Sequence, residues 1–328
     1  MATIQAPRYT NEEAARKHLE KTLWPEGPVC PHCGVIGEAF ELNGKTTRKG
    51  LWKCSGCREP FTVTVGTIFE DSHIPLHKWL LAIHLMCSSK KGISAHQLWR
   101  NLWDVDPITG KQTGSYRTAW FMCHRIRWAL GQEPMVSKLA GIVEVDDAYI
   151  GGKVRYATQK DGYGRSTRLG MKHPRSEKAP IVAILQRGGD VRTFHVPRVT
   201  GENVRPILDA FVEQNAHIMT DSANVMAVHR HGWMHSSVDH SKKEYVRYED
   251  GLCITTNTVE GYFGIIKRGI YGVFHHVSQR YLGMYLKEFD FRYNVRPIAD
   301  TDRVTLALKK AEGKRLMLKA PKQHGNVV

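Results

Sequence analysis

GIVEVDDAYIGG, residues 141–152, is the stretch on which the fold turns. Its β-branched and apolar residues between glycines read as a strand. Asp146 ends the apolar run IVEVD, where a carboxylate has to be solvated, paired or bound to a metal. HIMTD, 217–221, repeats the pattern and ends in Asp221. Taken singly, either acid reads equally as a turn cap. A third acid lies in NTVEGYFGIIKRG, 257–269. As a helix, this segment buries Val259, Phe263, Ile266 and Ile270, and one position round it aligns Glu260, Gly264 and Lys267. Glu260 alone reads equally as a surface ion pair.

Around these segments the order is mixed α/β. APIVAILQRGGDVRTFHVPRV, 179–199, is two strands joined by the turn Arg187-Gly188-Gly189-Asp190. ENVRPILDAFVEQ is an amphipathic helix, a further helix is expected near Ala223–His229, and a strand near His235–Val238. Helices over about Asn257–Lys267 and Ser278–Tyr293 close the region. Three carboxylates from three elements form a hard, oxygen-rich set suited to two Mg²⁺ or Mn²⁺ ions. Two such ions serve in-line phosphoryl transfer.

Toward the N-terminus, Cys30-Pro-His-Cys33 and Cys54-Ser-Gly-Cys57 stand twenty residues apart. Two CxxC knuckles flanking a hairpin read as a ribbon holding one structural Zn²⁺, with His32 outside the completed shell. Cys87, Cys123 and Cys253 read as core residues. Thr10 and Glu13 form a capping box for a helix over Asn11–Leu23. FTVTVGTIF, 61–69, alternates like a strand. Helices follow over Leu76–Cys87, after Ser94, and over SYRTAWFMCHRIRWAL, 115–130. The last carries Arg117 and Arg125, which gives a helix-turn-helix-like unit or a plain helical linker.

The 328 residues carry a net charge of +15, which calls for a polyanionic partner, above all nucleic acid. No apolar run of eighteen residues and no signal-peptide core occurs, so a cytoplasmic, nucleoid-associated protein is expected. Neither a Walker loop nor a GxGxxG turn is present, which argues against a small-molecule enzyme. Between Gly152 and Lys178 lie Lys153, Arg155, Lys160, Arg165, Arg168, Lys172 and Arg175, with only Asp161 and Glu177 opposing them. This reads as a flexible DNA-tracking arm or a solvated insertion.

EVDDAYIGGK, IMTDS and NTVEGYFGIIKRGIYGVFHHVSQRYLGMYLKEFDFRYNVR resemble the three signature blocks of a DDE-type insertion-sequence transposase, of the bacterial group related to Merlin transposons. The ribbon and the segment after it are similar to that group's N-terminal region, so the resemblance spans about residues 20–297. It implies a ribonuclease-H-like core in which Asp146, Asp221 and Glu260 bind the two metal ions and Lys267 contacts DNA. Asp146 and Asp147 are adjacent and face opposite ways, and the family pattern favours the first. Asn257 is the rival to Glu260. Arg268 joins Lys267 as a DNA contact, and His275, His276, Arg292 and Arg296 are supporting candidates. The implied activity cleaves element ends and joins the freed 3′-hydroxyl to target double-stranded DNA, which requires a homodimer or higher oligomer. The rivals are a non-catalytic zinc-ribbon DNA-binding regulator and a related metal-dependent nuclease. The expected organisation is helix and ribbon over 1–66, helical DNA-binding region over 67–135, catalytic domain over 136–300 with a basic insertion at 152–178, and a basic tail over 301–328.

Overall fold

The computed structural model describes residues 4–131, 137–152, 156–160, 162–163, 166–172, 178–221 and 232–313. They form two compact units, one joining residues up to 133 with those from 295 onward, the other spanning 134–294.

Helix α1 (Glu12–Leu23) opens the first unit, and it is Asn11 whose side chain accepts the Ala14 N–H. Thr10 lies one residue too early to be the cap, at the end of the preceding 3-10 turn, with its N–H bonded to the Pro7 carbonyl. Strands β1 (Ala39–Glu41), β2 (Trp52–Cys54) and β3 (Pro60–Phe61) make a small antiparallel sheet in that order. Trp24 meets Trp52 and Phe61 edge-on at 6.0 and 5.7 Å and closes the ribbon's own core. FTVTVGTIF does not form the expected strand beyond Phe61. Its threonines bond locally instead: the Thr62 and Thr64 hydroxyls meet at 2.9 Å, and Thr67 Oγ1 donates to the Thr64 carbonyl. Such bonds compete with a ladder and turn the chain.

Helix α2 (Leu76–Ser88) is buried along most of its length. Its first N–H groups, from Leu76 and His77, are satisfied by the Glu12 carboxylate of α1. Helices α3 (Ala95–Leu102, capped by Ser94) and α4 (Tyr116–Leu130) pack on each other. The segment joining them is folded rather than loose. Val105 bridges Gln112, and Asp106 Oδ1 accepts the Ile108 and Thr109 N–H groups.

The second unit holds strands β4 (Ile142–Ile150), β5 (Tyr156–Lys160), β6 (Ser166–Lys172), β7 (Ala179–Gln186) and β8 (Val191–His195), then helix α5 (Gly201–Phe211). Strands β9 (His217–Asp221), β10 (Met234–Val238), β11 (Arg247–Glu249) and β12 (Leu252–Ile254) precede helices α6 (Asn257–Gly269) and α7 (Gln279–Asn294). The main sheet runs β10-β9-β4-β7-β8, parallel from β10 to β4 and antiparallel from β4 to β8. Helices cover both its faces. Ile181, Ala183 and Leu185 point into the cluster with Val259, Phe263 and Ile266 of α6 and Leu286 and Phe289 of α7. Val182 and Ile184 point the other way, to Val204 and Leu208 of α5. The two-residue alternation along β7 makes it a central strand buried on both sides. This is the mixed α/β, ribonuclease-H-like architecture expected from the sequence.

Within the basic insertion, the described segments β5 and β6 pair antiparallel. Lys160 is exposed there. Lys153, Arg155, Arg165 and Arg175 lie outside the described residues, as do the side chains of Arg168 and Lys172 and the helix expected at Ala223–His229. A last helix, α8 (Asp300–Lys309), belongs to the first unit and packs on α1 and α2. Ile68 N–H donates to the Ala311 carbonyl beside it.

Candidate active site

The parallel ladder between β4 and β9 ends at Glu144 opposite Met219. Each strand carries an acid two residues farther on: Asp146 beyond Glu144, and Asp221 beyond Met219. Two residues is one pleat repeat, so the acids keep matching phase where the strands part. The strand β4 runs on to Ile150 against β7, while β9 ends at Asp221, and the point where neighbouring parallel strands part is where open α/β sheets bind ligands.

Helix α6 supplies Glu260, which is half-exposed; its Oε1 accepts from Thr256 Oγ1 at 3.2 Å and lies 3.5 Å from His240 Nε2. Burial pushes the Asp146 carboxyl up to about 7, and the carboxylates of Asp221, Asp147 and Glu260 add to the rise against the Asp147 N–H, which opposes it. Asp147 is also raised, by burial and by Asp221. Every charged group that raises Asp146 is another carboxylate. A hard divalent cation held by oxygen relieves that repulsion, so the donor set fits Mg²⁺ or Mn²⁺. Asn257 is exposed one turn earlier on α6.

Lys267 and Arg268 are both exposed on the same helix. The space over Gly264 is not left to a ligand alone: a Cβ there would meet the Arg268 guanidinium at 3.4 Å. Open space lies at Gly261, where nothing comes within 4 Å. His275, at φ +60°, and His276 are exposed after the π turn Ile270–Phe274 that extends α6. Arg292 is consumed inside α7, paired with Glu288 and stacked on Phe289.

Four residues of this region were not singled out by sequence reasoning: Glu144, Arg187, Thr256 and His240. Glu144 is fully buried. Its Oε2 accepts the Thr258 and Val259 N–H groups at 2.9 and 3.0 Å, and its Oε1 accepts Thr258 Oγ1 at 2.9 Å. Arg187, in the turn between β7 and β8, closes on the same Oε1 at 2.9–3.0 Å and also donates to the Cys253 and Thr255 carbonyls. An acid inside IVEV was itself a signal, by the reasoning applied to Asp146.

In the ribbon, the Cys30–Cys57 and Cys33–Cys54 sulfurs lie 3.6 Å apart. All four come within 4.8 Å of one another, a group that the acids do not match among the described residues. A tetrahedral Zn²⁺ with 2.3 Å bonds to sulfur needs edges of about 3.8 Å. The cysteines therefore fit one structural Zn²⁺. The thiols share their protons unevenly: the Cys57 N–H draws Cys54 down to about 7, while, against the Glu59 N–H, burial and the other three thiols push Cys57 up to about 12.

Of the other predicted DNA contacts, Arg117 is exposed and Arg125 is not. Arg125 lies over the Trp79 and Phe121 rings and donates to the Glu70 carbonyl at 3.0 Å. It is an interior strut with no surface to offer DNA.

Residues 138–294 match the ISXO2-like transposase domain, and residues 10–59 match the transposase zinc-ribbon domain. This chain carries a DDE-type transposase domain. A protein of the transposable element ISH50 of Halobacterium salinarum is 26% identical over 298 residues, covering 88% of this chain and 92% of that protein. The Drosophila P element transposase strand transfer complex aligns with a TM-score of 0.26 and 11% identity, over 66% of this chain and 56% of that one. The transposase domain thus begins just before β4 and ends with α7, and it contains all three candidate acids. No helix among the described residues is long and apolar enough to cross a membrane.

Proposed function

We propose that this chain cleaves the terminal repeats of its element and joins each freed 3′-hydroxyl to target DNA. Asp146, Asp221 and Glu260 hold two Mg²⁺ (or Mn²⁺) ions. The ions, when bound, supply charge to the attacking and leaving oxygens of an in-line displacement. In the first step a water oxygen bonds to the phosphorus at the element end, the P–O3′ bond breaks, and the departing oxygen takes a proton. In the second, that 3′-hydroxyl loses its proton and its oxygen bonds to a target phosphorus, the target P–O3′ bond breaks, and the departing 3′ oxygen takes a proton. Both steps displace oxygen at phosphorus, so one set of acids serves both, and no side chain becomes covalently linked to DNA. Lys267 and Arg268, exposed on the helix of Glu260, hold phosphate beside the reacting bond. Lys160 and the other basic residues of the insertion, and Arg117 of the first unit, contact phosphates of the duplex. Two ends must be brought together, so the working form on DNA is a homodimer or larger.

One observation carries the reading: Asp146 and Asp221 each stand two residues past the last β4–β9 pair, in matching phase, with Glu260 near enough to raise Asp146 further. The test is strand cleavage and joining with Mg²⁺ on DNA bearing the element's own ends. Wild type is expected to join ends to target, and Glu260→Gln to bind the ends and do neither. Equal activity of the two makes Glu260 the wrong acid and turns attention to Asn257. If both bind but are inert, the chain is a DNA-binding regulator.

A further inference from the structure

Asp146 and Glu260 sit on different elements, and one buried side chain joins those elements. Glu144 lies two residues before Asp146 on the same face of β4. Its carboxylate grips α6 at Thr258, two residues before Glu260. The distance between the two acids is therefore set by a short closed frame: two residues of strand, one carboxylate, two residues of helix. Arg187 completes it from the β7–β8 turn, bound both to Glu144 and to the carbonyls of Cys253 and Thr255 that lead into α6.

Such a frame has work to do. Four carboxylates lie close enough to repel, Asp146, Asp221 and Glu260 together with Asp147 on the opposite face of β4, and that repulsion pushes α6 away from the strand. A fifth carboxylate beneath them adds to that force unless it is neutralised. The helix N-terminus and the Arg187 guanidinium neutralise it on two sides. A buried carboxylate is costly compared with a neutral cap, so its retention under an acid cluster is poorly explained by stability alone. Mg²⁺ needs oxygens at near-ideal octahedral positions, which a mobile helix does not offer.

We propose that Glu144, held by Arg187, is a positioning residue: it fixes α6 to β4 so that Glu260 and Asp146 stand ready at a spacing that one divalent ion can bridge. This rests on the reading that these acids bind metal. It predicts that disturbing the frame weakens metal binding while the fold persists.

The test uses the full chain and Mn²⁺ alone, with binding read from the free-ion electron paramagnetic resonance signal. Wild type is expected to bind Mn²⁺, and Asp146→Asn to lose that binding. Glu144→Gln, which presents an amide N–H to Arg187, is expected to weaken Mn²⁺ binding by about 10-fold or more, the loss usual for residues that orient metal ligands. Thr258→Ala removes one hydroxyl donor from the frame and is expected to weaken it by about 3-fold. This milder variant reports if Glu144→Gln does not fold. Tyr262→Phe, on α6 like Glu260, loses a buried bond to Asp290 of α7 and is the control: it lowers the melting temperature and leaves Mn²⁺ affinity unchanged. If the frame variants lower the melting temperature but bind Mn²⁺ as wild type does, the positioning role is wrong and the metal site stands. If wild type shows no Mn²⁺ binding that Asp146→Asn removes, both readings fall.

Discussion

Replacing Asp146 by Asn should stabilise the metal-free protein, and the size of the effect follows from the site. Asp146 protonates near 7 in the folded chain against 3.8 for an unburied aspartate. The folded state therefore holds a proton that the unfolded chain has already released. Stability is highest below about pH 4, falls as pH rises, and reaches its full loss above about 7. A difference of about three tenfold steps corresponds to about 4 kcal/mol at most. Asp146 is not fully enclosed, and water in the crevice screens its neighbours, so about 1–2 kcal/mol is the expected share. Asn cannot ionise and escapes this loss. In a unit of this size, such a gain raises the melting temperature by roughly 2–8 °C. The assay is thermal unfolding at pH 5 and pH 8.5 in metal-stripped buffer without chelator, which would attack the ribbon, with hydrogen exchange on peptides from β4 and α6 to localise the change. The variant should gain on wild type at pH 8.5 and much less at pH 5. Adding Mg²⁺ should reverse the order, because only wild type is stabilised by binding it. A variant less stable than wild type at pH 8.5 without metal would refute the argument, since Asp146 would then be held by a favourable partner.

The ribbon should carry one Zn²⁺ per chain; Cys33→Ser should lose it and unfold β1 and β2, read by elemental analysis and by proteolysis near residues 39–54. Arg125→Ala should cost about 1–3 kcal/mol through its buried hydrogen bond and ring contacts, and leave the salt dependence of DNA binding unchanged. Arg117→Ala and Arg268→Ala should do the reverse, each reducing the slope of log affinity against log salt by about 1. Tyr262→Phe should destabilise by about 1–2 kcal/mol, since the hydroxyl donates to Asp290 in a fully buried network with Thr193.

The sheet was legible because its strands are apolar runs, and the acids because each closes such a run; β4 nevertheless continues past Asp146 to Ile150, since its antiparallel pairing with β7 runs on where that with β9 stops. The ribbon was legible because paired cysteines have few other uses in such a chain. Less was readable where polarity and burial part company. Arg125 follows Cys123 on a helix whose residues Met122–Arg127 are all buried, so a cation there marks an interior strut instead of a DNA face. In FTVTVGTIF the alternation was real, yet the chain turns after Phe61, with Thr67 Oγ1 donating to the Thr64 carbonyl and accepting the Phe69 N–H, and among the described residues only a single bridge to Glu312 remains of the ladder. Glu144 escaped notice because its partners, the N–H groups of Thr258 and Val259, lie more than a hundred residues away. The run IVEV marks Glu144 as an acid that needs a partner, but local sequence does not say which element supplies it.

The most direct measurement is anomalous diffraction from crystals of the protein bound to a cleaved element end in Mn²⁺. The account predicts two manganese peaks in the crevice, with carboxylate oxygens of Asp146, Asp221 and Glu260 at roughly 2.0–2.4 Å from them. Peaks elsewhere, or a site built on Asn257 or Asp147 with Glu260 turned away, would contradict it.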